Sequence, residues 1–432
     1  MRARDICSVR PLLIFAGVAV SLTAQVAAGL KTKADWLDSV ASALWQTGSS
    51  EASPAASGVQ SLLLVSSPSQ RKVAYVALNS TTSTNGKLFP LIDGGLESPQ
   101  GLALTTAGDG LFVADWGAKK ILHFSLRAQC LESQPCTLSV HGTPTLIAEG
   151  VACSYVATDG SGALYYSDQS AQSINVLHDN VIRELLAGSL QPSDLSRAPE
   201  LELEALAHLI AANPSGSPGR ARAWEAARKR LDRAVLVIHE SSADPHLGVP
   251  AGIAVEDTDV FWANKAPGRL GASVASGPAA PLAEPAPDAA QASSAPPLAT
   301  SIASGASGAA AGTGGDSVAV ADIAASAYGL ALTGDKVLFT TESHFLYGAP
   351  RAGGPAVALV DNLAAPRSVV WDGDGTVFVA DEYGDAVYSL PSGRLAKGLR
   401  TTRALQVPGP FGLALWRPPE IPSGTSAGGW LR

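Results

Sequence analysis

The chain has 432 residues, of which 46% are hydrophobic and 16% are charged. This composition is enough for one large or two ordinary globular cores and excludes full disorder. Its 43 glycines and 29 prolines favour turns and short strands over long helices. The formal net charge of −8 argues against a broad phosphate-binding surface, so we expect neither a nucleic-acid partner nor binding to an anionic membrane.

Residues 1–28 have the layout of a secretory signal peptide. Three arginines between positions 2 and 10 precede an apolar run from Leu12 to Leu22, and Val26-Ala27-Ala28 provides a cleavage site. The run is shorter than the ~20 residues that a membrane span requires. We therefore predict cleavage before Gly29, with an uncleaved anchor as the alternative, and a helical or irregular segment over 29–59. The mature chain would be secreted, periplasmic or in the lumen of the secretory pathway, without a membrane span.

The cysteines fit an exported protein. Cys130 and Cys136 are close enough in sequence to close a small loop, and an oxidising compartment favours their pairing, so they are the candidate disulfide. Cys153 lies in a strand-like context, where we expect a buried residue that behaves as a small apolar side chain.

One pattern returns along the chain. Its first clear copy reads Pro99-Gln-Gly-Leu-Ala-Leu104, then a turn at Gly108-Asp-Gly110, then Leu111-Phe-Val-Ala-Asp115. Further copies begin at Tyr155, Pro250, Tyr328 and Pro366, and a partial copy begins at Pro410. Each copy reads as a strand, a tight turn and a second strand, and the fuller copies add a third strand.

The first strand of each unit is a short apolar run, typically led by glycine. Only a strand that is buried on both faces is apolar at consecutive positions. A single meander cannot bury such a strand, whereas copies around a central axis can, and glycine and alanine suit close approach there. We expect the strand around Leu413 to complete the last sheet together with strands between residues 62 and 90.

These units resemble the blades of NHL-repeat proteins and of related six-bladed β-propellers, including the TolB-like and SMP-30-like groups. Residues 99–115, 250–264 and 366–381 match the pattern Pro-x-Gly-Ile-Ala-Val, Asp-Gly turn, aromatic-Val-Ala-Asp. The resemblance implies an all-β fold, with a propeller of six blades, five to seven being possible, over 60–417 and a flexible tail over 418–432. The group contains scaffolds, receptors, lyases and lactonases, so the fold alone does not decide the chemistry.

Two segments interrupt the repeat. Residues 183–233 change to a helical period and predict a helical hairpin of Pro199 to Ala212 and Arg220 to Arg233 inserted within the propeller. Residues 266–316 are rich in Ala, Ser, Gly and Pro. Such a stretch has little with which to build a core, so we predict a disordered insertion inside a blade, followed by an outer strand near Ser317 to Ile323.

An acidic or amide residue closes the second strand of four units, namely Asp115, Asp168, Asn264 and Asp381. Through the lactonase resemblance, their oxygens would converge on Ca²⁺ or another divalent cation. The interpretation that we favour is that each side chain caps the turn after its strand, in which case no cofactor is needed. The glutamate that lactonases carry at the start of a first strand is absent, which also weighs against catalysis.

Four further side chains fall near the ends of second strands and therefore near one rim of the propeller: Trp116, Trp262, His344 and Tyr383. Aromatic and polar side chains on a rim are typical of recognition surfaces. We predict a monomeric, non-catalytic scaffold that binds a protein, peptide or glycan through this rim. The competing hypothesis is a metal-dependent hydrolase or lyase with its site in the central channel.

Overall fold

The computed structural model describes residues 61–78, 87–131, 134–198, 234–256, 259–266, 274–278, 317–323, 325–392 and 396–418, with isolated positions between 212 and 222. The predicted signal peptide and the 29–59 segment lie outside the described residues. So do nearly all of the predicted helical hairpin over 199–233, most of the 266–316 insertion and all but the first residue of the 418–432 tail.

The described strands form six separate sheets. The first contains β1 (Leu62–Ser67), β2 (Lys72–Ala77), β3 (Phe89–Ile92) and the last strand, β25 (Leu413–Trp416). The second contains β4 (Pro99–Leu104), β5 (Gly110–Asp115), β6 (Lys120–Leu131) and β7 (Gln134–Glu149). The third contains β8 (Val156–Thr158), β9 (Leu164–Asp168), β10 (Ser173–Leu177), β11 (Ser196–Ala198) and β12 (Ala234–Glu240).

The other three sheets repeat the four-stranded plan. The fourth contains β13 (Pro250–Glu256), β14 (Asp259–Asn264), β15 (Val274–Pro278) and β16 (Val318–Ala321). The fifth contains β17 (Ala327–Leu332), β18 (Lys336–Thr341), β19 (Leu346–Pro350) and β20 (Val357–Val360). The sixth contains β21 (Pro366–Trp371), β22 (Thr376–Asp381), β23 (Ala386–Pro391) and β24 (Thr402–Gln406).

The sheets are arranged as a β-propeller, as the sequence predicts. Inner strands β25, β4, β8, β13, β17 and β21 each contact the inner strand of the next sheet, and together they line a channel with a cavity of about 510 Å³. Five of the sheets are regular blades of four antiparallel strands. Glycine makes the close approach possible, since a methyl group on Gly252 would collide with the Tyr328 carbonyl oxygen of the neighbouring inner strand.

The first sheet joins the two ends of the described chain. Strand β25 pairs antiparallel with β1, in the register Leu62 with Trp416 through Val65 with Leu413. The Trp416 side chain is buried, and its indole nitrogen donates a hydrogen bond of 2.8 Å to the Gly108 carbonyl oxygen of the second sheet. The closing arrangement predicted from the sequence is therefore confirmed.

The third sheet departs from the regular plan. It has five strands, and its outer strand β11 pairs parallel to β12. Helix α1 (Asp179–Leu186) follows β10, and a short 3-10 helix covers Pro192–Asp194. The sequence predicts that the insertion starts at residue 183, but the helix begins at Asp179. It does so because Val181, Ile182 and Leu185 bury one face of the helix against the propeller.

The fourth sheet also corrects an expectation. Strand β15 lies inside the segment 266–316, which the composition predicts to be disordered, and it pairs with β14 from Asp259–Pro278 to Ala263–Val274. Backbone hydrogen bonds to β14 on one side and to β16 (Val318–Ala321) on the other hold this strand without bulky side chains, so the composition does not reveal it. Strand β16 then forms the outer strand that the sequence predicts after the insertion.

The second sheet extends into a long hairpin of β6 and β7. A disulfide joins Cys130 to Cys136 near its end, and Cys153 is a free, buried cysteine. Among the described residues, no helix has the length and apolar character needed to cross a membrane.

Candidate functional site

Strand pairing places two sets of residues on the same end of the propeller. Pro99 pairs with Asp115, Pro250 with Asn264 and Pro366 with Asp381. The start of each inner strand therefore lies beside the end of the second strand. We call this end of the propeller the upper face.

At the upper face, two of the carboxylates considered as metal ligands, Asp115 and Asp381, accept hydrogen bonds from backbone N–H groups. Asp115 accepts hydrogen bonds from the backbone N–H groups of Glu97 at 2.8 Å and Ser98 at 2.7 Å. Asp381 accepts equivalent bonds from Ala364 at 2.8 Å and Ala365 at 2.6 Å. Both side chains therefore fasten the loop that leads into the inner strand of their own sheet.

The other two members of this set have related contacts. Asn264 accepts a bond from the Gly248 N–H at 3.0 Å and donates one to the His246 carbonyl at 2.9 Å. Asp168 caps the turn after its strand through the N–H groups of Ser170 and Ala171. No group of three or more His, Cys, Asp and Glu side chains suited to a metal ion occurs among the described residues.

The four side chains predicted to bind a ligand have different environments. Tyr383 is 74% exposed and Trp116 is half-buried. His344 is exposed at a turn with a φ of 72°, and its Nδ1 lies 2.7 Å from the Ala364 carbonyl oxygen. Trp262 differs from the expectation of a rim residue, because its side chain is fully buried and its ring is tilted against that of His239, with 4.6 Å between the ring centroids.

A cluster of side chains drawn from all six sheets lies at the upper end of the channel. We call it the axial cluster, and it consists of Trp116, Tyr155, Gln169, Lys265, Tyr328, Arg367, Glu382 and Phe411. Each member either lies within two residues of the first residue of an inner strand or directly follows a second strand. The ring of sheets thus brings residues that are far apart in sequence to one place.

Lys265 bridges several members of this cluster. Its Nζ donates a hydrogen bond of 3.0 Å to Gln169 Oε1 and lies 5.7 Å from the Trp116 ring centroid and 5.1 Å from that of Tyr328. Burial, together with the positive charge of Arg367, lowers the pKa of Lys265 to about 8 despite the opposing carboxylates of Glu342 and Glu382.

Arg367 is the second cation. Its Nε donates a hydrogen bond of 2.6 Å to Glu382, and its guanidinium lies 4.5 Å from the centroid of the Tyr328 ring. The rings of Tyr383 and Phe411 are 5.9 Å and 5.8 Å away. Burial alone would lower the pKa of Arg367, but the hydrogen bond and charge of Glu382 raise it, so the group is a permanent cation.

Tyr155 lies close to Arg367 and Tyr328 within the cluster. It is 6% exposed, its ring is tilted against Phe411 at 5.6 Å, and its hydroxyl group has no hydrogen-bond partner among the described residues. Burial raises the pKa of Tyr155 above its ordinary value, so the hydroxyl group keeps its proton. Gln100 Oε1, on the neighbouring inner strand, is also buried without a described partner.

Sequence reasoning identified Trp116 and Tyr383 as rim residues and missed Lys265, Arg367 and Tyr155. A usable signal was present, because Lys265 directly follows Asn264 as Trp116 follows Asp115, and Arg367 occupies the variable position after Pro366. The pattern of rim residues indicates mainly aromatic side chains at those positions, so the sequence alone does not single out the two cations.

Comparisons with known proteins show only distant structural likeness. The sequence matches no protein-family model and no curated protein. A solved structure of a nidogen/laminin complex aligns at 13% identity with a TM-score of 0.49, covering 82% of this chain and 98% of that one. The periplasmic gluconolactonase of Pseudomonas aeruginosa aligns at 12% identity with a TM-score of 0.42, covering 83% and 99%. Virginiamycin B lyase from Staphylococcus aureus aligns at 11% identity with a TM-score of 0.40, covering 83% and 95%.

Proposed function

We propose that this chain is a non-catalytic β-propeller that binds a protein or peptide at its upper face, with the axial cluster at the centre of the site. The observation that carries the proposal is the convergence of Lys265 and Arg367 with the aromatic rings of Trp116, Tyr328 and Phe411, which come from the second, fifth and first sheets. Arg, Trp and Tyr are the side chains that dominate binding energy at protein interfaces. Tyr383 adds an exposed aromatic ring beside the cluster.

The proposal includes six blades, with the five-stranded third sheet as the sixth. Its inner strand β8 lies between β4 and β13, and Tyr155, Val156, Ala157 and Thr158 contribute to the channel wall. It also includes export, because the Cys130–Cys136 disulfide suits a protein that resides in an oxidising compartment.

Peptide display on the purified mature chain tests the binding function. Peptides selected on the wild-type protein should lose about tenfold or more in affinity on a Trp116→Ala/Tyr383→Ala variant. The matched control is Phe89→Ala, which removes an exposed ring from the outer strand β3. Selected peptides that bind the double variant as well as the control would contradict the proposal, as would a glycan array that yields ligands where peptide selection yields none.

A second experiment separates binding from metal-dependent catalysis. Because Asp115 and Asp381 hold backbone loops, replacing both with alanine should lower the melting temperature and leave metal content unchanged. Elemental analysis and thermal unfolding of both proteins supply the two readouts. Stoichiometric metal that disappears in the variant, together with an unchanged melting temperature, would favour the hydrolase or lyase hypothesis instead.

A further inference from the structure

We infer that the axial cluster is a site for a single carboxylate group attached to an apolar moiety, with Arg367 and Lys265 binding the anion and the Tyr155 hydroxyl group donating a hydrogen bond to it. This inference rests on the proposed function, since it specifies the chemistry that the partner presents at that site. It follows from the distribution of charge and of unused donors in the cluster.

The cluster holds two cations and one partly buried carboxylate. Glu382 engages Arg367 through Nε, and the two Nη groups of Arg367 have no hydrogen-bond partner among the described residues. Lys265 bonds to the neutral amide of Gln169 rather than to a carboxylate. Glu342, the other nearby acid, is exposed to solvent, so its charge is screened.

Tyr155 provides an independent observation. A buried hydroxyl group without an acceptor costs about 1–3 kcal/mol, and Tyr155 retains such a group beside Arg367. Since the hydroxyl group keeps its proton, it has a hydrogen bond to donate, and an acceptor on the ligand would receive it. A carboxylate group satisfies this donor with one of its oxygens, and its two oxygens together pair with a guanidinium through two parallel hydrogen bonds.

The surroundings of the site limit the ligand to one negative charge. Glu382 already occupies one edge of Arg367, so a dianionic phosphate would be repelled more strongly than a carboxylate. The rings of Trp116, Tyr328 and Phe411 form apolar walls around the cations. The site therefore fits a carboxylate that carries an aromatic or aliphatic group.

Small probes test this chemistry directly. We expect phenylacetate to bind the full mature chain at least about tenfold more tightly than phenylacetamide, its uncharged analogue. Ligand-observed NMR measures both affinities. The affinity for phenylacetate should fall between about pH 7 and about pH 9, because Lys265, which faces Arg367, Glu342 and Glu382, loses its proton in that range. Equal binding of the acid and the amide would overturn the inference.

Substitutions identify the groups that bind the anion. Arg367→Met should weaken phenylacetate binding about tenfold or more. Lys265→Met should weaken it and abolish its dependence on alkaline pH, and Tyr155→Phe should weaken it about threefold to tenfold with the fold intact. The matched control is Arg351→Met, since Arg351 is also half-buried, pairs with Glu256 and lies over the Phe261 ring, but is outside the cluster.

If Arg367→Met fails to fold, the inference is still tested by the other two variants, Lys265→Met and Tyr155→Phe, and by the pH profile of phenylacetate binding. Affinities that match that of Arg351→Met in every cluster variant that folds would overturn the inference. A cluster variant that binds phenylacetate more weakly than Arg351→Met does supports the inference.

Peptide probes distinguish the source of the carboxylate. Ala-Ala-Phe with a free carboxyl terminus is compared with its C-terminal amide, and acetyl-Ala-Glu-Phe-amide is compared with its Gln counterpart. Tighter binding of Ala-Ala-Phe than of its amide assigns the site to a C-terminal carboxylate. Tighter binding of the Glu peptide than of its Gln counterpart assigns it to a side-chain carboxylate. Binding of phenylacetate without any peptide keeps the carboxylate site but contradicts the protein-binding proposal. Peptides that need Trp116 and Tyr383 but are indifferent to carboxylates contradict only the present inference.

Discussion

Glycine in the inner strands determines how closely neighbouring sheets approach around the axis. A Cβ atom on Gly101 would lie 2.7 Å from the Ser154 carbonyl oxygen, and methyl groups on Gly329 and Gly412 would collide with the carbonyl oxygens of Arg367 and Gln100. These neighbours are backbone atoms, which cannot move aside as a flexible side chain does. The glycines therefore set the diameter of the channel and the position of Arg367 at its upper end.

Gly329→Ala should lower the free energy of unfolding by about 1–3 kcal/mol, because the added methyl group pushes β17 away from β21. Gly334→Ala is the control, since an added methyl group there meets no atom within 4 Å. Urea unfolding of both variants measures the effect. A destabilisation of equal size in the two proteins would show that close packing of the inner strands is not its cause.

Asp244 is a buried acidic residue that connects two neighbouring sheets through its hydrogen bonds. Its carboxylate is fully buried and accepts hydrogen bonds from His239 Nδ1 at 2.9 Å, the Ser317 hydroxyl at 2.6 Å and the His246 N–H at 2.8 Å. Burial alone would raise the pKa of Asp244, but the hydrogen bonds from His239 and Ser317 lower it. The ionised carboxylate thus ties the end of the third sheet to the residue that precedes β16.

Stability should therefore depend on Asp244 above about pH 4 and lose that contribution as the pH falls through the pKa of the folded state, which lies below the ordinary value of about 3.9. Asp244→Asn should cost about 1–3 kcal/mol near neutral pH, and the deficit should shrink toward about pH 3. Urea unfolding across that range measures it, with the exposed Asp361→Asn as the control. A deficit that stays constant with pH would contradict the role of the ionised form.

At the scale of the elements, the β6–β7 hairpin extends well beyond the other blades. Leu126 and Leu138 of this hairpin are buried against the first sheet, and the Leu138 N–H donates a hydrogen bond of 3.2 Å to the Tyr75 hydroxyl oxygen. The disulfide lies nearer to the tip than these contacts. The hairpin is thus attached to the propeller by packing as well as by its strand pairing.

Replacing Cys130 and Cys136 with serine should destabilise the protein by no more than about 2 kcal/mol, because the disulfide closes a very short loop. The packing of Leu126 and Leu138 should survive. Thermal unfolding with and without a reductant measures the change, and the reductant should shift only the wild-type protein. A loss of the whole unfolding transition would mean that the hairpin depends on the disulfide for its structure.

The elements that the sequence predicts well are the buried ones. The apolar runs of β4, β5, β21 and β22 were located because both faces of these strands are covered, so the signal is strong and local. Strands farther from the axis, such as β15 and β7, carry weaker patterns, since backbone pairing with neighbouring strands holds them. Convergence at the axial cluster was not predictable, because Lys265 and Trp116 belong to sheets that are not neighbours along the ring.

At the scale of the whole molecule, the ring is closed without a covalent link. The backbone of Ser66 exchanges hydrogen bonds of 2.9 Å with Phe411 and Gly412, and the Ser66 hydroxyl accepts a bond from the Gly412 N–H. Strand β25 supplies the inner strand of a sheet whose other strands come from the opposite end of the described chain. The channel and the axial cluster, which includes Phe411, therefore depend on this closure.

Removing residues 413–432 should unfold the propeller or lower its melting temperature far more than removing residues 419–432, because only the longer deletion takes away β25. The longer deletion exposes the edge of β1 that pairs with β25 and the apolar side chains that pack against Leu413 and Trp416. Strand β1 then loses hydrogen bonds as well as burial. Circular dichroism with temperature compares the two proteins. A peptide of residues 410–418 added in excess should restore part of the lost stability, since it supplies the missing strand. Equal melting temperatures for the two truncated proteins would mean that the ring does not need this strand to stay closed.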